Sequence, residues 1–106
     1  MTAKAPATHR LIDVRFLASQ PHRLKASLAV SRSLATLDLG PEDLPVCLAV
    51  LTPAHFRKTM PAERWPDSMM DVYIVQFRGR RMYVKFHITP GGVEGGCLMV
   101  TSFKEA

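Results

Sequence analysis

Acidic side chains are the scarce commodity of this sequence. Fourteen lysines and arginines face nine aspartates and glutamates, for a net charge of +5 and a pI near 9.7. Between Asp71 and Glu94 there is no carboxylate at all. No carboxylates stand paired as two-carboxylate acid–base chemistry requires, and none cluster as a divalent metal ion requires. Cysteine is nearly absent too. Cys47 and Cys97 lie far apart, outside any CxxC or Cys/His ligand spacing, and each sits in an apolar run, so buried reduced thiols are expected. No apolar run reaches about 18 residues and no charged-then-apolar leader opens the chain, so a cytoplasmic protein is expected. Walker loops, HExxH and serine–histidine–acid arrangements are missing, as are internal repeats and low-complexity tracts.

What is present fits one globular domain over residues 1–106, with 47% hydrophobic and 22% charged residues. A small basic domain of this kind meets nucleic acid, an acidic protein, or both. The first seven residues read as a fraying lead-in. Thr8 is a candidate N-cap for a helix over 9–20, which Gln20-Pro21 ends. A second helix is expected over 23–38, with Gly40 as its C′ residue. The spacing of Pro41 and Pro45, with Glu42 and Asp43 between, opens a third short helix. Its apolar continuation, 46–51, fits a buried strand by periodicity alone, and the acidic start favours the helix. Residues 54–60 read as a strand with Phe56, Lys58 and Met60 on one face, and 61–68 as a loop carrying the only tryptophan, Trp65.

The stretch from Met69 onward is a β-hairpin leading into a further strand, with strands expected over 69–77, 81–89 and 97–104. A two-residue turn at Arg78-Gly79 sets Phe77 opposite Arg80, Ile74 opposite Tyr83, Val72 opposite Lys85 and Met70 opposite His87. The segment 90–96 reads as a flexible hairpin loop. Helices first and strands last give an α+β fold, with helices packed on one face of an antiparallel sheet and the other face free for a ligand.

That free face is where chemistry is expected. Tyr83, Lys85 and His87 offer a phenol, an ammonium and an imidazole at two-residue spacing, and Lys58 and Lys104 on flanking strands can converge on them. His9 and His22 are expected at the surface, and His55 in a local hydrogen bond. Fixed cations of this kind suit attack of a ribose 2′-OH on its own phosphodiester, where negative charge builds on phosphorus and no metal or other cofactor is required. Lysine ammoniums ordinarily stay charged at neutral pH, so their expected role is electrostatic. The plainer alternative is a nucleic-acid-binding surface without catalysis.

Several segments, in the same order nearly end to end, resemble one family. They are Thr8-His9-Arg10-Leu11, the arm LTPAHFRKTM over 51–60, Asp71-Val72-Tyr73, Tyr83-Val84-Lys85 and Ser102-Phe103-Lys104-Glu105. The chain is similar to the MqsR (motility quorum-sensing regulator) toxins of type II toxin–antitoxin systems. The resemblance implies a RelE-like α+β fold and a ribosome-independent endoribonuclease (mRNA interferase) that cuts at GC-containing sites. It also implies a cognate MqsA-like antitoxin that binds zinc and DNA, so that contact with DNA is indirect. Carried over residue by residue, it implies Lys58, Tyr83 and Lys104 as catalytic and Met60 as a substrate contact. Where the family has a glutamine, this chain has Met70, whose thioether donates no hydrogen bond; His87, opposite in the expected register, is the candidate substitute. Arg57, Arg78, Arg80, Arg81 and Lys85 are expected to hold the RNA backbone. The 90–96 loop, longer than the family's turn, is expected to be solvated or to contact the antitoxin.

Overall fold

The computed structural model describes residues 5–65 and 67–106. Residues 1–4 of the expected lead-in and Pro66 of the expected loop lie outside the described residues. Helices α1 (Leu11–Ala18), α2 (Leu28–Thr36) and α3 (Asp43–Ala49) pack on one side of a five-stranded sheet. Its strands are β1 (Leu24–Ala26), β2 (Phe56–Pro61), β3 (Met69–Phe77), β4 (Arg80–Ile88) and β5 (Leu98–Glu105). Their spatial order is β1-β5-β4-β3-β2, antiparallel throughout except for β1, which runs parallel to β5.

The hairpin register follows from the turn. Arg78 (φ 51°) and Gly79 (φ 79°) both take left-handed conformations, the requirement of a type I′ turn matched to strand twist. Phe77 then pairs with Arg80, Ile74 with Tyr83 and Val72 with Lys85, as the turn residues predict. Tyr73, Val75, Phe77, Met82, Val84 and Phe86 consequently face the helices. There they meet Val14 and Leu17 of α1, Val30 and Leu34 of α2, and Leu44 and Leu48 of α3. Tyr73 stacks on Phe86 with ring centroids 5.5 Å apart. Burial pushes the Tyr73 phenol up to about 12, with Asp71 adding to the shift and Arg15 opposing it. Burial likewise pushes the Cys47 thiol up to about 12. Cys47 and Cys97 are both unbridged; Cys47 is buried and Cys97 only half-buried.

Several sequence expectations need correction. The helix expected over 23–38 is instead a turn at Pro21–Arg23, the strand β1, and then α2. Ser27 starts α2 by accepting the Val30 N–H at 3.2 Å, while Leu24–Ala26 is drawn into pairing with Leu98–Val100. The C′ residue of α2 is Asp38 (φ 58°), not Gly40. Leu39 N–H returns to the Leu34 carbonyl at 2.8 Å and Asp38 N–H to Ala35, a Schellman ending. Thr8 does not cap α1 either. Its N–H and that of His9 both donate to the buried Asp71 carboxylate, at 2.9 and 2.8 Å, and tie the lead-in to β3. The expected 90–96 loop carries a helical turn, α4 (Gly92–Gly95). Arg23 donates to the Gly96 and Gly92 carbonyls there, and Val93 packs on the core.

The Gly79 position separates conformational cost from crowding. A Cβ built there meets nothing within 4 Å, so a side chain pays only for the left-handed backbone. Gly79→Val is expected to lower the unfolding free energy by about 1–2 kcal/mol with an unchanged urea m-value; an unshifted midpoint would show that the turn is not held in this conformation.

Candidate functional site

The outward face of the sheet is built from the alternate residues of the same strands. Three cross-strand rows can be read from the pairings. Ile74, Tyr83 and Lys104 form one row, and Lys58, Val72, Lys85 and Ser102 the next. Met60 pairs with Met70 and His87 with Met99 in the third. Lys58 reaches this face because of a register break between Phe56 and Lys58. Phe56 turns inward against Tyr73, with ring centroids 5.5 Å apart, so it does not share a face with Lys58 as alternation alone implied.

Lys58, Tyr83, Lys85 and Lys104 thus stand on one surface. Adjacent strands lie about 4.8 Å apart, so Lys58 and Lys85 start about 10 Å from one another, across Val72. The Lys104 ammonium rests over the Tyr83 ring, 5.3 Å from its centroid, which fixes both side chains beside each other. Arg81, paired with Gln76, adds a cation on the same face. Among the described residues none of these cations forms an ion pair. β1 contributes Lys25, paired with Met99 and exposed, which helical reading of 23–38 could not place. A three-residue strand carries too little alternation to be seen in sequence; Ser27, three residues before Val30, was the available sign that the helix starts later.

Other expected residues lie elsewhere. Arg78 pairs with Asp43 of α3 at 2.9 Å and covers the Phe77 ring, and Arg80 pairs with Glu105 at 3.6 Å. Both belong to the helix side of the hairpin tip, away from Tyr83. Arg57 donates to the Ala54 and Phe56 carbonyls and lines a hollow of about 300 Å³ with His55, Ile74 and Arg81. His55 accepts the Thr52 N–H at 3.0 Å, the local bond expected of it. His9 is not a plain surface residue. Its Nε2 lies 2.8 Å from the Met69 carbonyl and 3.4 Å from the Ile88 nitrogen, where the β3–β4 ladder ends. One nitrogen cannot both donate to the first and accept from the second, and the shorter contact assigns the proton to Nε2.

His87 lies on the expected face but not in the open. It is fully buried, neither ring nitrogen has a hydrogen-bond partner among the described residues, and Trp65 covers it at 4.8 Å between centroids. Burial lowers its pKa from the ordinary value, with His9 adding to the shift, so the ring is neutral at pH 7. Met70 is 5% exposed, and its sulfur receives the Thr101 hydroxyl at 3.4 Å. Neither His87 nor Met70 is placed to touch a phosphate above the sheet.

Beside the cationic rows lies a groove of about 580 Å³. Met70, Lys85, Met99 and Thr101 form its floor, residues 26–29 one wall and residues 62–65, ending in Trp65, the other. Among the described residues no group of three or more histidine, cysteine or acidic side chains is arranged to hold a metal ion, and no helix is long and apolar enough to cross a membrane. Neither models of known protein families nor curated proteins give a match to this chain.

The buried imidazole gives stability a defined pH dependence. Its folded-state pKa lies below the unfolded value near 6.5, so the unfolded chain binds the proton more readily. Stability from this source is complete above that value and declines as pH falls through it. His87→Leu is therefore expected to gain stability relative to the parent as pH is lowered from about 7.5 to about 5.5, measured by urea unfolding; a gap independent of pH would mean that His87 is not buried in neutral form.

Proposed function

We propose that this protein is an endoribonuclease that cleaves single-stranded RNA by attack of a ribose 2′-OH on the adjoining phosphodiester. The observation that carries the reading is that Lys58, Tyr83, Lys85 and Lys104 share one face of the sheet, with none of the three lysines in an ion pair among the described residues. A phosphodiester lying across β2–β5 would meet ammoniums from both sides. As the pentacoordinate transition state gains charge, Lys58 and Lys104 stabilise its non-bridging oxygens. The P–O2′ bond forms as the P–O5′ bond breaks. The Tyr83 hydroxyl positions the phosphate or relays the proton lost by the 2′-OH to the departing 5′-oxygen, and Lys85 with Arg81 holds the neighbouring backbone. Products would carry a 2′,3′-cyclic phosphate and a 5′-hydroxyl, and no metal ion is needed for the step.

More narrowly, we read the chain as a toxin of the MqsR kind, with a RelE-like fold, an mRNA substrate and a cognate antitoxin as protein partner in the cytoplasm. The order of segments that resembles that family supports this, together with the position of Lys58, Tyr83 and Lys104 on one surface. The competing reading, a nucleic-acid-binding module without catalysis, keeps the cationic face but gives the Lys104–Tyr83 contact no task.

Incubation of the purified protein with a single-stranded RNA in EDTA separates the two. Defined cuts are expected, and they should disappear when the ribose at the cut site is 2′-deoxy. Lys58→Ala and Lys104→Ala should each lower the cleavage rate about 10²–10³-fold, the loss typical of removing one donor to a developing oxyanion. A mobility shift without cuts would replace the nuclease by the binder.

We extend the same reading to the donor missing at Met70. Thr101 is the better substitute, since its hydroxyl lies on the groove floor against Met70 while His87 is sealed beneath Trp65. Thr101→Val should depress cleavage at least tenfold more than His87→Leu; the reverse order would return the role to His87.

A further inference from the structure

The groove beside the cationic rows lends the chemistry proposed above only Lys85 and the Thr101 hydroxyl, and the rest of it has no task there. It holds about 580 Å³, within the range of small-ligand sites, and opens onto the same face. Trp65 forms one wall and Leu28, 65% exposed, stands in the other. Met70 and Met99 give the floor an apolar, polarisable surface, and Lys85 brings an unpaired ammonium to it. Arg64 and Glu63 also line it, so two cations and one carboxylate border the indole wall and the apolar floor. That combination suits a nucleotide, a flat ring with a phosphate at one end. Trp65 is held against His87 at 4.8 Å, so the platform is supported from behind.

We propose that this groove seats the base of one nucleotide of the RNA, the one adjoining the cut phosphate. The proposal rests on the nuclease reading. The base stacks on Trp65 above Met70 and Met99, and Lys85 takes its phosphate. Continuity with the active face fixes which nucleotide this is. Lys85 belongs both to the groove floor and to the row of Lys58, and Tyr83 stands two residues further along β4, about 7 Å away. A chain whose scissile phosphate lies over Tyr83 and Lys104 therefore presents its neighbouring unit to the groove. Charge argues the same way, because two cations, Lys85 and Arg64, line the groove against one carboxylate, Glu63, and Lys85 has no ion pair among the described residues.

Trp65 is the only tryptophan, so its fluorescence reports the groove directly. Cytidine or guanosine 5′-monophosphate should quench it saturably, and ribose 5-phosphate should not. Leu28→Glu, which narrows the groove and adds a negative charge, and Lys85→Gln should each weaken the nucleotide about tenfold, while His22→Ala, at an exposed position outside the groove, leaves it unchanged. In cleavage assays Trp65→Ala should raise KM about tenfold with little change in kcat, and Trp65→Phe should restore it. Loss of kcat alone, unrescued by phenylalanine, would point to a merely structural tryptophan and overturn the proposal. Equal quenching by ribose 5-phosphate, or none by either nucleotide, would overturn it too. Cleavage without quenching removes the base pocket and leaves the nuclease; quenching without cleavage keeps the pocket and removes the nuclease.

Discussion

One turn decides which way every side chain of the central hairpin points. Arg78 and Gly79 accept left-handed dihedrals, and with them the pairing of Phe77 to Arg80 is set. A slip of one residue would exchange the two faces, sending Lys85 and Tyr83 into the helices and Val84 and Phe86 into water. The turn is held from outside as well. Arg78 reaches Asp43 at the start of α3, so the strained residue of the hairpin tip also anchors a helix. The segregation of cations from the core is a consequence of register, which the apolar residues enforce and the charged ones follow.

The opposite end of β3 is closed by a different device. Asp71 faces the helix side, where a carboxylate is costly, and it is satisfied by the Thr8 and His9 N–H groups. The His9 ring then lies where the β3–β4 ladder stops. The lead-in to α1 is thereby pinned across the strand that carries Met70 and Val72. These contacts explain how Asp71 sits buried in β3 without contributing a charge to the outward face of the sheet.

The hairpin, its register and the identity of its cationic face were legible in sequence because two signals agreed. Alternation with period two located the strands, and the short Arg78-Gly79 gap allowed the pairs to be counted. Elsewhere only one signal was present, or two conflicted. Leu24–Ala26 is too short to alternate, and its strand state comes from β5, more than seventy residues away. Phe56 and Lys58 look alike in spacing, and only the break at Arg57 separates core from surface. His87 was placed on the right face, yet its exposure depended on Trp65 folding back over it, which no local pattern encodes.

These differences bear on how the face works. Like charges gathered on a surface repel, and the pairs that would relieve them have been used elsewhere: Asp43 serves Arg78, and Glu105 serves Arg80. Among the described residues Lys58, Lys85 and Lys104 have no ion-pair partner, and Lys104 rests on the Tyr83 ring, a state that a polyanion would improve by replacing small counterions. The other half of the same face is the groove, with an apolar floor of Met70 and Met99, closed on one side by Trp65 and bordered by Lys85. A bare phosphate chain would satisfy the cationic half alone. A nucleic acid carries bases as well, and in the proposed mode it would engage both halves at once, the backbone over the lysine rows and a ring in the groove. On the proposed reading, the juxtaposition of the two halves, more than the net charge of +5, is what would suit this surface to a polynucleotide.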